Sequence, residues 1–272
     1  MKLSCLPVSY YPEFKKGSMS IADWARQAQR LGLDAVDLSV LMTRRLDQGK
    51  LKETALELKL IGMPVDTIVT YSDFTHPDAV VRESEFAQFE SDITAALTLG
   101  AIYLRITPGQ AHPQTSRKDG IAFTVDYFSR AAKFASQNGI GLLFENHSKP
   151  GVWQYYDFGG EQDVYFELTE RLRNVGIDLL FDTANACFYN QDPARMLGRI
   201  FSRVRRIHVA DIVKAKELQP VLIGTGVVPL AKTFTYLKDH GFSGSLSIEE
   251  ASFTGFDGFE KAVHATRDLW SR

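Results

Sequence analysis

Cysteine is scarce in this chain of 272 residues: Cys5 and Cys187 are the only two, and they lie far apart. That excludes a disulfide framework and fits a reducing compartment. Long hydrophobic runs are missing too, since no stretch approaches the roughly 18 apolar residues of a membrane span. The start, Met1-Lys2-Leu3-Ser4-Cys5-Leu6-Pro7-Val8, carries one positive charge and a short apolar run cut by proline, which is not the h-region of a signal peptide. Excess charge of either sign is absent. The formal net charge is -2, with no basic footprint for nucleic acid. No linker or low-complexity tract divides the sequence. The expectation is one cytoplasmic domain over residues 1–272, binding neither nucleic acid nor membrane, with homo-oligomer formation left open.

What is present is an alternation of strand-like and helix-like segments. Hydrophobic content of 44% and charged content of 24% are those of an ordinary globule. Strands are expected at Leu3–Tyr10, Ala35–Val40, Val65–Tyr71, Ile102–Ile106, Gly141–Glu145, Ile177–Phe181, Arg206–Val209 and Ser245–Ile248. Helices are expected between and after them, at Ile21–Leu31, Leu51–Leu60, Asp78–Leu99, Ile121–Gln137, Asp163–Leu172, Pro193–Phe201, Pro229–His240 and Glu260–Trp270. Ser20 is a plausible N-cap and Gly32 a terminator. Two connections are long: the aromatic Lys149–Gln162 and the stretch Asp211–Val228. Long loops in compact domains are usually functional or disordered. Eight such alternations argue for an α/β fold of the (β/α)8 TIM barrel kind, parallel and eight-stranded, in a single domain. An open doubly wound sheet would place its ligand at one switch point, whereas here four neighbouring strands end in polar residues.

Those four endings carry the chemistry. Leu142-Leu143-Phe144 runs into Glu145, Leu179-Leu180-Phe181 into Asp182, Ile207 into His208, and Leu246-Ser247-Ile248 into Glu249. Spacings of 37, 26 and 41 residues are each about one strand-plus-helix unit, so all four side chains return to the carboxyl-end rim where barrel active sites lie. Three carboxylates and one imidazole suit a divalent metal, Mn²⁺ or Mg²⁺ before Co²⁺ or Zn²⁺. Any one of these residues alone reads as a loop cap or ion-pair partner; four in consecutive register read as a ligand set. Strand alternation chooses Glu249 over Glu250, because Leu246, Ile248 and Glu250 share the helix-facing side. The same test turns Arg105 inward, as a substrate contact or an ion pair inside the barrel. His147 lies on the same side as Glu145 and is a candidate substrate contact.

Other residues carry less. His76, His240 and His264 read as structural or solvated, and His112 is a weak candidate on the active face. The turn Gly224-Thr225-Gly226 reads as a phosphate cradle or, more simply, as a turn before the helix at Pro229. The first half gives little, including whether Asp37 or Asp66 meets substrate.

The motifs Phe144-Glu145-Asn146-His147, Phe181-Asp182-Thr183-Ala184-Asn185, Ile207-His208-Val209-Ala210-Asp211, Gly224-Thr225-Gly226 and Ile248-Glu249 together resemble the xylose isomerase-like TIM barrels, the sugar phosphate isomerase/epimerase superfamily. The resemblance implies a divalent metal held by Glu145, Asp182, His208 and Glu249. It also implies that Glu145 and Glu249 act as acid and base on opposite faces of a ketone substrate. Two positions depart from the epimerase pattern: Asn185 stands where a histidine is common, and Lys214 where an arginine is. Asn185, Lys214 and Glu161 are carried as substrate contacts and Trp153 as a lid residue. The implied activity is that of a sugar isomerase or epimerase acting on a small-molecule sugar or polyol-derived ketone. A dehydratase or lyase of the inosose or dehydroshikimate type uses the same proton abstraction. An abasic-site endonuclease would need a richer histidine set than these six, and a non-catalytic sugar-binding barrel would not need two opposed glutamates.

Overall fold

The computed structural model describes residues 1–272. Eight parallel strands, β1 (Lys2–Leu6), β2 (Val36–Ser39), β3 (Val65–Val69), β4 (Tyr103–Ile106), β5 (Gly141–Glu145), β6 (Asp178–Asp182), β7 (Val204–Val209) and β8 (Ser245–Glu249), form one sheet in the order β1-β8-β7-β6-β5-β4-β3-β2. This is the TIM barrel, with helices outside. Seven neighbouring pairs are laced by ladder hydrogen bonds; β1 and β2 are not. Side chains and a single backbone bond close that seam. Ser4 Oγ donates to Asp37 Oδ2 at 2.9 Å, Leu3 N to Asp34 Oδ2 at 2.8 Å, and Asp34 N to the Leu3 carbonyl at 2.8 Å.

Local chemistry explains the helices. Ser20 and Asp23 form a reciprocal capping box at the start of Ile21–Arg30, which satisfies two otherwise orphaned amides. Ile21, Trp24, Ala25 and Ala28 then make a stripe at helical spacing that is buried against the barrel. Trp24 is wholly buried, and its loss to alanine would cost about 3–5 kcal/mol. Several helices begin earlier than their apolar pattern suggests, because polar caps lie upstream of it. Asp47 caps Gln48–Ile61 through Lys50 N, and Ser116 caps Arg117–Asn138 through Asp119 N. The latter ends where Gly139 adopts a left-handed φ of 75°, which costs glycine little.

The first strand is shorter than expected. Pro7 cannot donate to a ladder, so the chain leaves the sheet after Leu6, turns through Val8–Tyr10, and enters a short helix, Tyr11–Lys16. Two register shifts matter inside the barrel. Val36 pairs with Val65 but Leu38 with Ile68, so Asp37 faces both Asp66 and Thr67. Likewise Leu179 pairs with Val204 but Leu180 with Arg206, which leaves Arg205 over. Such bulges re-aim side chains: Asp66 and Arg206 meet inside the barrel, while Arg205 turns out to Asp178 at 3.1 Å. Asp37 and Asp66 are therefore barrel interior, not rim. No helix is long and apolar enough to cross a membrane.

Candidate metal centre

The ends of β5 to β8 bring Glu145, Asp182, His208 and Glu249 together, each offering a ligand atom within 4.8 Å of the others. Register accounts for part of this, since Asp182 on β6 pairs directly with His208 on β7. Glu145, Asp182 and His208 are buried, whereas the Glu249 side chain keeps 31% of its surface exposed, facing a cavity. His208 Nδ1 lies 2.8 Å from Glu145 Oε1 and 3.2 Å from Glu249 Oε2. Arg105 lies against the same group, its Nε 3.0 Å from Glu145 Oε2 and its Nη1 donating to the Thr70 carbonyl at 2.8 Å. It makes the ion pair and also borders the cavity.

Electrostatics follow from crowding. Burial pushes the Glu145 carboxyl up, but Arg105 and then His208 outweigh it and hold it down at about 2. Asp182 is pushed well above the usual carboxylate range, first by burial and then by Glu249 and Glu145. Burial pulls the His208 imidazole down, and Glu145 and Glu249 more than reverse that, raising it well above its ordinary value. Three carboxylates set against one guanidinium draw protons. A dication supplies the same neutralisation while leaving the ligand lone pairs free. One buried atom, His208 Nε2, has no hydrogen-bond partner, although buried polar atoms are nearly always paired, and Glu145 Oε2 has only the Arg105 ion pair. The crowded donor set fits a divalent cation.

The surroundings fix the ligands. Asn146 accepts from Asp182 N at 2.8 Å and donates to the Asp182 carbonyl at 2.9 Å, clamping β5 to β6. Asp182 Oδ1 accepts from Asn185 N at 2.5 Å, capping a short helix, Thr183–Phe188. Thr183 Oγ1 donates to the carbonyls of His208 and Ala210. His147 borders the cavity, with Nδ1 3.1 Å from Asp157 Oδ2 and its ring edge-on to Trp153 at 5.8 Å. Trp153 is buried beneath the loop as a support for His147 rather than a cavity-lining lid. Asn185 lines the cavity and accepts from Ser148 Oγ.

Several expected residues do not join the site. Lys214 is solvent-exposed and pairs with Glu217 at 2.8 Å. Glu161 is exposed at the start of Gln162–Arg171. Neither lines the cavity. His112 is held by Asp73 at 2.8 Å. The Gly224-Thr225-Gly226 turn is no phosphate cradle: the amides of Gly224 and Gly226 donate to Asp211 Oδ2, and those of Ile212 and Val228 to Oδ1. A Cβ on Gly226 would come within 2.3 Å of Asp211, so the backbone closes on that carboxylate. Tyr11 and Tyr71 were not anticipated; both line the cavity, their phenolic oxygens 3.5 Å apart.

Comparison with known proteins places this geometry. An inosose dehydratase of Bacillus cereus (strain AH820) is 27% identical over 140 residues, a match covering 46% of this chain and 45% of that protein. The chain thus spans about half the length of the curated relative it matches. Among solved structures, the IOLI protein with a binding zinc atom superposes with a TM-score of 0.82 at 15% identity, covering 100% of this chain and 98% of that one. D-psicose 3-epimerase from Clostridium cellulolyticum H10, solved with D-tagatose, gives 0.76 at 13% identity, covering 99% of each chain. Residues 25–269, a span that takes in Glu145, Asp182, His208 and Glu249, match the family described as xylose isomerase-like TIM barrel, and the chain belongs to that family.

Proposed function

We propose that the chain is a divalent-metal enzyme that removes a proton from the carbon beside the ketone of a sugar or polyol-derived substrate. The observation that carries this reading is the convergence of Glu145, Asp182, His208 and Glu249, two of which, Asp182 and Glu249, line one cavity. These four residues would hold the cation, with Mn²⁺ or Mg²⁺ favoured by the mostly oxygen donor set and Co²⁺ or Zn²⁺ accepted. When bound, the cation polarises the substrate carbonyl. Glu249, open to the cavity, is placed to take the proton, and Arg105 and His147 are placed to orient substrate hydroxyls. Charge developing on the carbonyl oxygen is where preorganised electrostatics lower the barrier.

The two fates of that carbanionic state need different things from Glu145. Epimerisation requires a second acid, Glu145, to return a proton to the opposite face. Dehydration returns none to carbon: the β-hydroxyl leaves as water with the proton that Glu249 took. The similarity to an inosose dehydratase supports the dehydratase reading.

The test is incubation of metal-loaded protein with ketoses, ketose phosphates, inososes and 3-dehydroshikimate in D₂O. Deuterium entering beside the carbonyl reports proton abstraction, and absorbance of a conjugated enone reports loss of water. Glu249→Gln should abolish both signals. If Glu145→Gln and Glu249→Gln both retain full exchange, the acid/base assignment is wrong.

A further inference from the structure

His147 lines the cavity, but the carboxylate it touches does not. Asp157 Oδ2 lies 3.1 Å from His147 Nδ1, and the Asp157 side chain is wholly enclosed while the imidazole keeps 10% of its surface. The two oxygens of Asp157 divide their work. Oδ1 accepts from Gly159 N at 2.7 Å, which shapes the turn of the loop. Oδ2 has the imidazole as its only partner. The turn needs only Oδ1, and an asparagine would serve it as well. A buried carboxylate is costly unless it is paired, so the second oxygen points to a task at His147.

The loop after β5 holds Asp157 firmly enough for that task. Asp157 N donates to the Ser148 carbonyl at 2.6 Å, Phe158 N donates to the Gly109 carbonyl at 2.8 Å, and Asp157 bridges antiparallel to Gln110. Gln110 is fixed in turn. Its Oε1 accepts from Gln154 N and Tyr155 N at 2.8 and 3.0 Å, and its N and Nε2 donate to Asp73 at 2.9 and 2.8 Å. An imidazole that faces a carboxylate through Nδ1 carries its proton there, which leaves a lone pair on Nε2. Nε2 bonds no protein group and is not sealed in, so it opens on the cavity.

We propose that Asp157 is a positioning residue: it fixes His147 as the Nδ1–H tautomer, so that Nε2 accepts a hydrogen bond from a substrate hydroxyl rather than giving one. The hydroxyl rests on the proposed function; the tautomer does not. Asp73 and His112 make a comparable pair through the other ring nitrogen, Nε2 at 2.8 Å, and neither lines the cavity. His112 therefore serves as an internal reference.

The test reads histidine tautomers in long-range proton–nitrogen correlation spectra of the Mg²⁺-loaded protein at about pH 8, where an unperturbed imidazole is neutral. His147→Gln identifies the resonance. The wild type should show Nδ1–H at His147. Asp157→Asn keeps an Oδ1 for Gly159 N but should reverse the ring to Nε2–H, because its amide then donates to Nδ1. His112 should keep its Nε2–H form in both. With any ketone of the earlier panel that exchanges, Asp157→Asn should lower kcat/KM about tenfold, the loss of one hydrogen bond to substrate, with metal affinity unchanged. An Nε2–H or imidazolium form of His147 in the wild type overturns this inference and leaves the proposed function standing, and that spectrum decides even where a variant fails to fold. A reversed tautomer with kcat/KM unmoved overturns it too. If the wild type exchanges none of the ketones, the proposed function fails, and the hydroxyl-binding role of His147 falls with it whatever the tautomer.

Discussion

Two groups of buried charge occupy neighbouring layers of this barrel. In the lower one, Arg206 Nε and Nη2 reach Asp66 Oδ2 and Oδ1 at 2.5 and 2.8 Å, and Thr67 Oγ1 adds a bond at 3.1 Å. Beside it, Asp37 accepts from Ser4 Oγ, Ser247 Oγ and Thr67 N. In the upper group, three carboxylates crowd one imidazole and one guanidinium, and His208 Nε2 is left without a hydrogen bond. Burial is similar in both, so burial does not distinguish a working site from a structural one. Pairing does: in the lower layer guanidinium, hydroxyl and amide donors face two aspartates, whereas at the rim three carboxylates crowd together.

That contrast can be broken at either layer. The largest effect belongs to the rim, where Glu249→Gln should lower proton exchange by about 10²–10⁴-fold while the thermal midpoint stays near that of the wild type. Arg206→Ala should do the reverse. It strands Asp66, buried and unpaired, at a cost of about 3–5 kcal/mol in urea unfolding, with exchange retained by the folded fraction. If it abolishes exchange in fully folded protein, the lower layer is not merely structural.

Asp37 sharpens the lower layer further. Burial first, and Asp66 next, raise its carboxyl to about 6. A raised folded value means its stabilising contribution is complete below about 3.8 and is lost as pH climbs through 6. Asp37→Asn lacks that loss, so its stability relative to wild type should rise between pH 4 and pH 7, by at most about 3 kcal/mol. A flat difference across that range would show Asp37 ionised throughout. The smallest effect is ligand linkage. Mn²⁺ at a hundred times its Kd should stabilise the wild type by about 2.7 kcal/mol, with no such shift in Asp182→Asn and an undiminished shift in Arg206→Lys.

The rim was legible because strand alternation is a strong rule near the end of a regular strand. It separated Glu249 from Glu250, whose carboxylate faces the last helix instead. It would also have found Tyr71, which shares the inward side with Val69 and Arg105. It failed wherever the backbone departs from regular pairing. The bulge that turns Asp66 inward leaves no mark on apolar periodicity, so that carboxylate was unreadable, whereas Arg206, two residues before His208 in regular register with β8, lay open to the same rule. Tyr11 follows a turn that resets direction. Lys214 and Glu161 were placed by motif spacing in loops, where no alternation constrains a side chain, and both lie in solvent. Asp211 was visible as the last letter of Ile207-His208-Val209-Ala210-Asp211, but its hold on three of its four amides depends on a loop closing thirteen to seventeen residues later.

The unlaced joint between β1 and β2 gives the cylinder a preferred line along which to flex. Parting there severs a few side-chain ties and one backbone bond, whereas parting anywhere else unzips a whole ladder. Since β1 is bound in register to β8, with Leu6 opposite Glu249, movement at that joint would carry Glu249 with it. The chain's first strand is in this sense a hinge plate for Glu249.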